Sequence, residues 1–103
     1  MQEIVLNGKP TRVGKLLDGF NLKATPQSSN VSVFGVNAEK GELFVRFRNG
    51  SQYLYNPVDP ETLHQALHAE SIGKFISREI VKKFSSTKIA ENLFTEIDDK
   101  KVF

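Results

Sequence analysis

Aromatic and arginine side chains alternate along the stretch around Asn49-Gly50. Alternate residues of a β-strand lie on the same face, and Asn-Gly is a preferred two-residue hairpin turn. A hairpin with this turn would place on one face the side chains of Phe44, Arg46, Arg48, Tyr53 and Tyr55. Rings that stack on bases, beside guanidinium groups that bind phosphates, are typical of proteins that bind single-stranded nucleic acid. The same residues also suit a sheet whose face is covered by helices, or one in which Arg46 simply packs over Tyr53 as a cross-strand pair.

The register of this hairpin decides between the two interpretations. A two-residue turn pairs Arg46 with Tyr53. A three-residue loop with Gly50 in the left-handed region pairs Val45 with Tyr53 instead, and it places the tyrosines in the core. We expect the two-residue turn, because it gathers the apolar side chains on the opposite face. Those side chains are Leu43, Val45, Phe47 and Leu54.

A second set of basic residues occupies every fourth position of a predicted helix: Lys74, Arg78 and Lys82. These side chains lie opposite the apolar stripe of that helix. A basic helix face can follow a phosphate backbone, although it is more often the solvated side of an amphipathic helix. Together with Arg46 and Arg48, the stripe permits an anionic partner without requiring one.

Ser71 and Gly73 mark the start of the same helix. Serine is a preferred N-cap, and a glycine in the first turn exposes backbone N–H groups that can hold a phosphate or carboxylate. The alternative is a cap followed by a glycine that only permits close packing.

His64 and His68, four residues apart on another predicted helix, could both reach one metal ion. Two histidines without a third ligand are far more often solvated, so we expect no metal site. The sequence shows no nucleophile–base pair, carboxylate dyad or phosphate-cradling loop. It therefore predicts a protein that is not an enzyme and that needs no cofactor.

The elements that would position these residues follow from turn and capping residues. Residues 1–29 form an N-terminal arm in which Asn7-Gly8 could close a small hairpin, and strands are expected at about 31–36, 42–48 and 51–56. Asp59-Pro60 begins one helix and Ser71 a second, and the amphipathic tail, residues 87–103, is expected to contain a third. The predicted fold is α+β: a three-stranded antiparallel β-meander, which the N-terminal hairpin could extend, packed by two or three C-terminal helices.

An ordered set of residues within 30–86 resembles the KTSC family, a short domain found at the C-terminus of some lysyl-tRNA synthetases and as stand-alone small bacterial and phage proteins. The residues that carry the resemblance are Tyr53-x-Tyr55, Val58, Ala69-x-Ser71-x-Gly73-x-Phe75 and Ile80. The family often has Gly-Tyr where this chain has Gly35-Val36. The resemblance implies RNA binding, which has been suggested for the family, and it marks Tyr53, Tyr55, Ser71, Gly73 and Phe75.

Composition limits the kinds of site and the classes of protein that are possible. The chain has 103 residues, a formal net charge of +2 and no cysteine, which excludes disulfides, iron–sulfur clusters and thiolate zinc sites. The N-terminus lacks the basic start and long apolar run of a signal peptide, and no stretch approaches the roughly 20 apolar residues of a membrane span. We therefore expect a soluble cytoplasmic protein with no membrane partner.

Two functional hypotheses follow. The first is a small non-enzymatic module that binds nucleic acid, RNA more than DNA, through the aromatic and arginine sheet face. The alternative is a protein-interaction module, such as a small regulator or a phage-encoded inhibitor of a host protein. A modest net charge fits this alternative better, because dedicated nucleic-acid binders are usually strongly basic.

Overall fold

The structure, a computed structural model, describes residues 2–97. In chain order its strands are β1 (Glu3–Leu6), β2 (Lys9–Val13), β3 (Asn21–Ala24), β4 (Val31–Asn37), β5 (Glu42–Phe47), β6 (Gln52–Tyr55), β7 (Ser86–Lys88) and β8 (Phe94–Glu96). Its helices are α1 (Pro60–Leu67) and α2 (Ile72–Phe75), with a single 3-10 turn at Lys15–Leu17 and a π-helical turn at Ile76–Ile80 that continues α2.

The strands form two antiparallel sheets. The larger sheet has the order β3-β4-β5-β6-β7 and the smaller one the order β1-β2-β8. The described chain is therefore mostly β, and the predicted α+β fold of a three-stranded meander with two or three helices is wrong. The central meander is present, but the N-terminal arm adds β3 to one edge and the chain after α2 adds β7 to the other.

The third helix expected in the tail is also absent from the described residues. Leu93 and Phe94 insert into the core, and Phe94 begins β8, which pairs with β2. An apolar spacing that fits a helix fits this strand as well, because short apolar runs do not distinguish the two by period alone. The tail residues 98–103 lie outside the described part of the chain.

Both faces of the larger sheet are covered. One face packs against α1 and α2 around buried residues of β4 and β5, among them Val36 and Val45. The other face packs against the smaller sheet and the 3-10 turn through Val33 and Phe44. Within residues 2–97 the larger sheet is thus the middle of three layers, with buried side chains of its central strands packed on both faces.

The β5–β6 hairpin has the three-residue loop Arg48–Gly50, so the two-residue turn that we predicted is wrong. Phe47 N donates to Ser51 O over 2.9 Å, Gly50 N donates to Phe47 O over 2.9 Å, and Gly50 has a φ of +93°. Val45 consequently pairs with Tyr53. The shift by one residue moves every side chain of β6 to the opposite face.

Candidate binding clefts beside the helix junction

The side chains predicted to form one aromatic and arginine face lie on two different faces. Phe44 is completely buried in the core beneath the smaller sheet, with its ring centroid 6.0 Å from that of Phe94. Tyr53 and Tyr55 face the helices, where Tyr55 is 4% exposed and the Tyr53 ring packs edge-on against Phe47 at 6.0 Å. The prediction of a shared exposed face is wrong, because the hairpin register differs.

The buried position of Tyr55 changes the pKa of its hydroxyl group. Burial raises the pKa of Tyr55 above 10.0, and repulsion from an ionised Tyr53 nearby raises it further. Tyr55 thus belongs to the core on the helix side of the sheet, and Tyr53 is partly buried against that core.

The guanidinium groups of Arg46 and Arg48 contact other residues of the same chain. The Arg46 guanidinium lies over the Phe94 ring, 5.2 Å from its centroid. Arg48 donates three hydrogen bonds to the loop before β4: to Thr25 O at 2.9 Å, to Pro26 O at 3.2 Å and to Ser28 O at 2.7 Å. A guanidinium is suited to several carbonyl oxygens at once because its donors lie in a rigid plane. Arg48 thus holds this loop in shape.

The loop before β4, which Arg48 stabilises, lies against the start of α2. Ser71 is the N-cap, since its Oγ accepts a hydrogen bond from Lys74 N at 3.4 Å. A Cβ added to Gly73 would overlap Asn30 Oδ1 and would lie 3.2 Å from Ser28 Oγ. The predicted cap at Ser71 is confirmed, and Gly73 allows the loop to approach the helix closely.

A cleft of about 390 Å³ opens between this loop and the helical segment. We call it the basic cleft; its lining is Gln27, Ser28, Ser29, Asn30, Ser71, Gly73, Lys74, Ser77 and Arg78. The lining holds two cations and no carboxylate. Neither Lys74 nor Arg78 is ion-paired within residues 2–97, whereas Lys83 contacts Glu79 at 2.7 Å. The exposed charges of Lys74 and Arg78 are therefore available to an anionic ligand.

A second cleft of about 280 Å³ lies beside the first. We call it the neutral cleft; its lining is Lys23, Ala24, Thr25, Pro26, Gln27, Ser28, Phe34, Ala66, Leu67, Ala69, Glu70, Ser71 and Ile72. Lys23 and Glu70 balance each other in charge, and much of the remaining wall is apolar. The two clefts meet at Gln27, Ser28 and Ser71, which line both.

The structure thus brings together four of the predicted site residues: Ser71, Gly73, Lys74 and Arg78. Residues 27–30 were not predicted to join them, since Thr25–Asn30 has the polar, turn-rich composition of a connecting loop. The available signal was Gly73, because a glycine early in a helix often marks a close approach of another chain segment.

Within the described part of the chain, His64 and His68 do not belong to a group of side chains that could hold a metal ion. The rings of His64 and His68 lie 4.5 Å apart on α1. Residues 2–97 contain no group of three His, Cys, Asp or Glu side chains placed to hold a metal ion. Within the same residues, no helix is long and apolar enough to cross a membrane.

Architecture and motif together define a small, mostly β protein whose helices cover one face of its larger sheet. The family model of the KTSC domain matches residues 27–84, more than half of the chain. The chain belongs to the KTSC domain family, as the sequence resemblance predicted.

Two individual proteins are similar to it. A protein of Tsukamurella paurometabola is 32% identical over 63 residues, which cover 61% of this chain and 94% of that protein. The crystal structure of a KTSC domain protein from Yersinia pestis superposes with a TM-score of 0.57 at 28% identity, covering 66% of this chain and 97% of that one. The two comparisons therefore leave 39% and 34% of this chain, respectively, outside the aligned region.

The family match stops short of both ends of the described chain. Residues 2–26 supply β1, β2 and β3, and residues 85–97 supply β7 and β8. The smaller sheet, which covers the second face of the larger one, is thus built entirely from outside the matched region. Both clefts, in contrast, lie largely within it.

Proposed function

We propose that this protein is a non-enzymatic module that binds nucleic acid, RNA in preference to DNA, and that the phosphates of the strand bind in the basic cleft. The observation that carries the proposal is the pair of exposed cations Lys74 and Arg78, neither of them ion-paired within residues 2–97, in a cleft whose lining contains no carboxylate. Contacts of cations with phosphates supply most of the affinity in such complexes. Lys82, also exposed, extends the positive charge along the chain.

Hydroxyl groups in the cleft support RNA over DNA. Ser29 and Ser77 are exposed, and their side chains make no hydrogen bond to another residue of the described chain. A serine hydroxyl can donate to or accept from a ribose 2′-OH, which is the group that distinguishes RNA from DNA.

The proposed nucleic-acid contact does not lie on the sheet face that the sequence suggested. Phe44 and Tyr55 are buried, and the Arg48 guanidinium is occupied by three carbonyl oxygens. A strand bound in the basic cleft needs none of these side chains.

Fluorescence anisotropy with labelled single-stranded RNA and DNA, at several salt concentrations, tests the proposal. We expect binding that weakens with salt, because bound phosphates release counterions. The double variant Lys74→Gln/Arg78→Gln should bind about tenfold or more weakly at low salt. Its slope of log affinity against log salt should be shallower by about 1.4, which corresponds to two lost contacts on a single strand.

The matched control is Lys15→Gln/Lys40→Gln. It removes the same net charge from two exposed positions outside both clefts, so its affinity should fall much less. Equal losses in the two double variants would show that only overall charge matters and would contradict the site. Absence of binding to either nucleic acid at low salt would contradict the function and favour the protein-interaction alternative.

A further inference from the structure

The neutral cleft differs from the basic cleft in charge and in the side chains that line it. Its lining carries one cation and one anion, Lys23 and Glu70. Its apolar wall includes Phe34 and Ala66, both almost completely buried, so these side chains are fixed in the core. A volume of about 280 Å³ is close to the lower end of small-molecule sites.

A single nucleotide has the same division into two parts. Its phosphate is anionic and strongly hydrated, whereas its base is flat, uncharged and largely apolar on its faces. The two clefts share Ser28 and Ser71 at their boundary. A strand with a phosphate at Lys74 and Arg78 therefore has a neutral, partly apolar space directly beside that phosphate.

We infer that the neutral cleft receives one unstacked base of the strand whose phosphates bind in the basic cleft, and that it favours bases with an exocyclic amino group. This inference rests on the proposed function. The base preference follows from the polar groups of the lining. The exposed Glu70 carboxylate can only accept hydrogen bonds, which suits the amino group of cytosine or adenine. The Gln27 amide supplies both a donor and an acceptor.

The binding mode requires a single strand. A base inside a duplex would have to leave its stack and its pairing partner before it could enter the cleft. Duplex RNA of the same sequence should therefore bind more weakly than the single strand.

Anisotropy titrations with a cytidine oligoribonucleotide and with an abasic ribose-phosphate oligomer of the same length test the inference. We expect the wild-type protein to bind the cytidine oligomer about tenfold more tightly. Ala69→Leu, which adds side-chain volume to the cleft lining, should bring that ratio to about one without changing the affinity for the abasic oligomer. The control Ala38→Leu, at an exposed turn position, should keep the wild-type ratio.

The outcomes separate the inference from the proposed function. Equal affinity of the wild type for the two oligomers, or an unchanged ratio in Ala69→Leu, would overturn the inference while the phosphate site stands. Failure of both oligomers to bind would overturn the proposed function itself.

A second variant, Glu70→Gln, tests the base preference without adding volume. The wild type should favour a cytidine over a uridine oligomer by about fivefold, and Glu70→Gln should reduce this preference to about one, because an amide can also donate to uracil. Equal affinity of the wild type for the two oligomers, or a preference that persists in Glu70→Gln, would overturn the assignment to Glu70.

Discussion

Replacing Phe94 with alanine tests whether the smaller sheet is a permanent part of the core. Phe94 is 7% exposed and contacts Phe44 and the Arg46 guanidinium, both on the larger sheet. It comes from outside the family match, so its contacts join the added layer to the KTSC portion of the chain.

The expected magnitude follows from these contacts. Truncation of a buried phenylalanine to alanine costs about 3–5 kcal/mol. Because β8 has only three residues and can relax around the cavity, we expect the lower end, about 3 kcal/mol of unfolding free energy. That loss corresponds to a fall in Tm of roughly 12–24 °C for a domain of this size.

Urea denaturation followed by circular dichroism measures the effect. Phe94→Leu should cost about 1 kcal/mol, because it keeps most of the apolar volume and loses only the ring interactions. Thr95→Ala, at the exposed neighbouring position of the same strand, should stay within about 0.5 kcal/mol of wild type. A Phe94→Ala variant as stable as Thr95→Ala would refute the inference that Phe94 fixes the smaller sheet to the core of the larger one.

Three further predictions concern the loop before β4, the chain around β7 and the dependence of stability on pH. Arg48→Lys keeps the charge but cannot reach three carbonyl oxygens, so the unfolding free energy should fall by about 1 kcal/mol; an unchanged value in urea denaturation would mean that the loop is ordered without this clamp. Gln52→Ala removes the Nε2 donor that binds the backbone oxygens of Ile89 and Glu91 at 3.1 and 2.8 Å. It should cost about 1–3 kcal/mol and speed amide hydrogen exchange in β7, and slow exchange there would contradict this role. Since the pKa of Tyr55 is higher in the folded than in the unfolded protein, its contribution to stability is full below pH 10.0 and is lost as the pH rises through the folded pKa. Tyr55→Phe should therefore flatten the alkaline fall in Tm, and a fall equal to that of wild type would contradict the assignment.

How far the fold could be predicted depends on the range of the interactions that cause each element. The cap of α1 is local: the Thr62 hydroxyl donates to Asp59 Oδ1 at 2.7 Å and Thr62 N donates to Asp59 Oδ2 at 3.0 Å, and these two bonds lower the pKa of Asp59. A cap of this kind is visible in the sequence. The hairpin at Asn7-Gly8 is local as well.

The β5–β6 register, in contrast, depends on distant residues. It turns Gln52 inward, where a polar side chain is acceptable only because the backbone oxygens of Ile89 and Glu91 accept its hydrogen bonds. A rule that gathers apolar residues on one face cannot anticipate such partners. The clefts escaped prediction for a related reason, since they arise where a loop meets a helix more than 40 residues later in the chain.

The pairing of β2 with β8 has a consequence for how the chain folds. Val13 lies opposite Phe94, about 80 positions later. Contacts between residues so far apart in sequence raise the contact order of the fold. The chain must lose conformational entropy to bring these two strands together before their pairing can stabilise the sheet. During synthesis, the residues of β1 and β2 leave the ribosome before those of β8, so their sheet stays incomplete until β8 has followed. The strands and helices of the family portion, whose contacts are closer in sequence, should therefore form first and serve as the surface on which the N-terminal strands later settle.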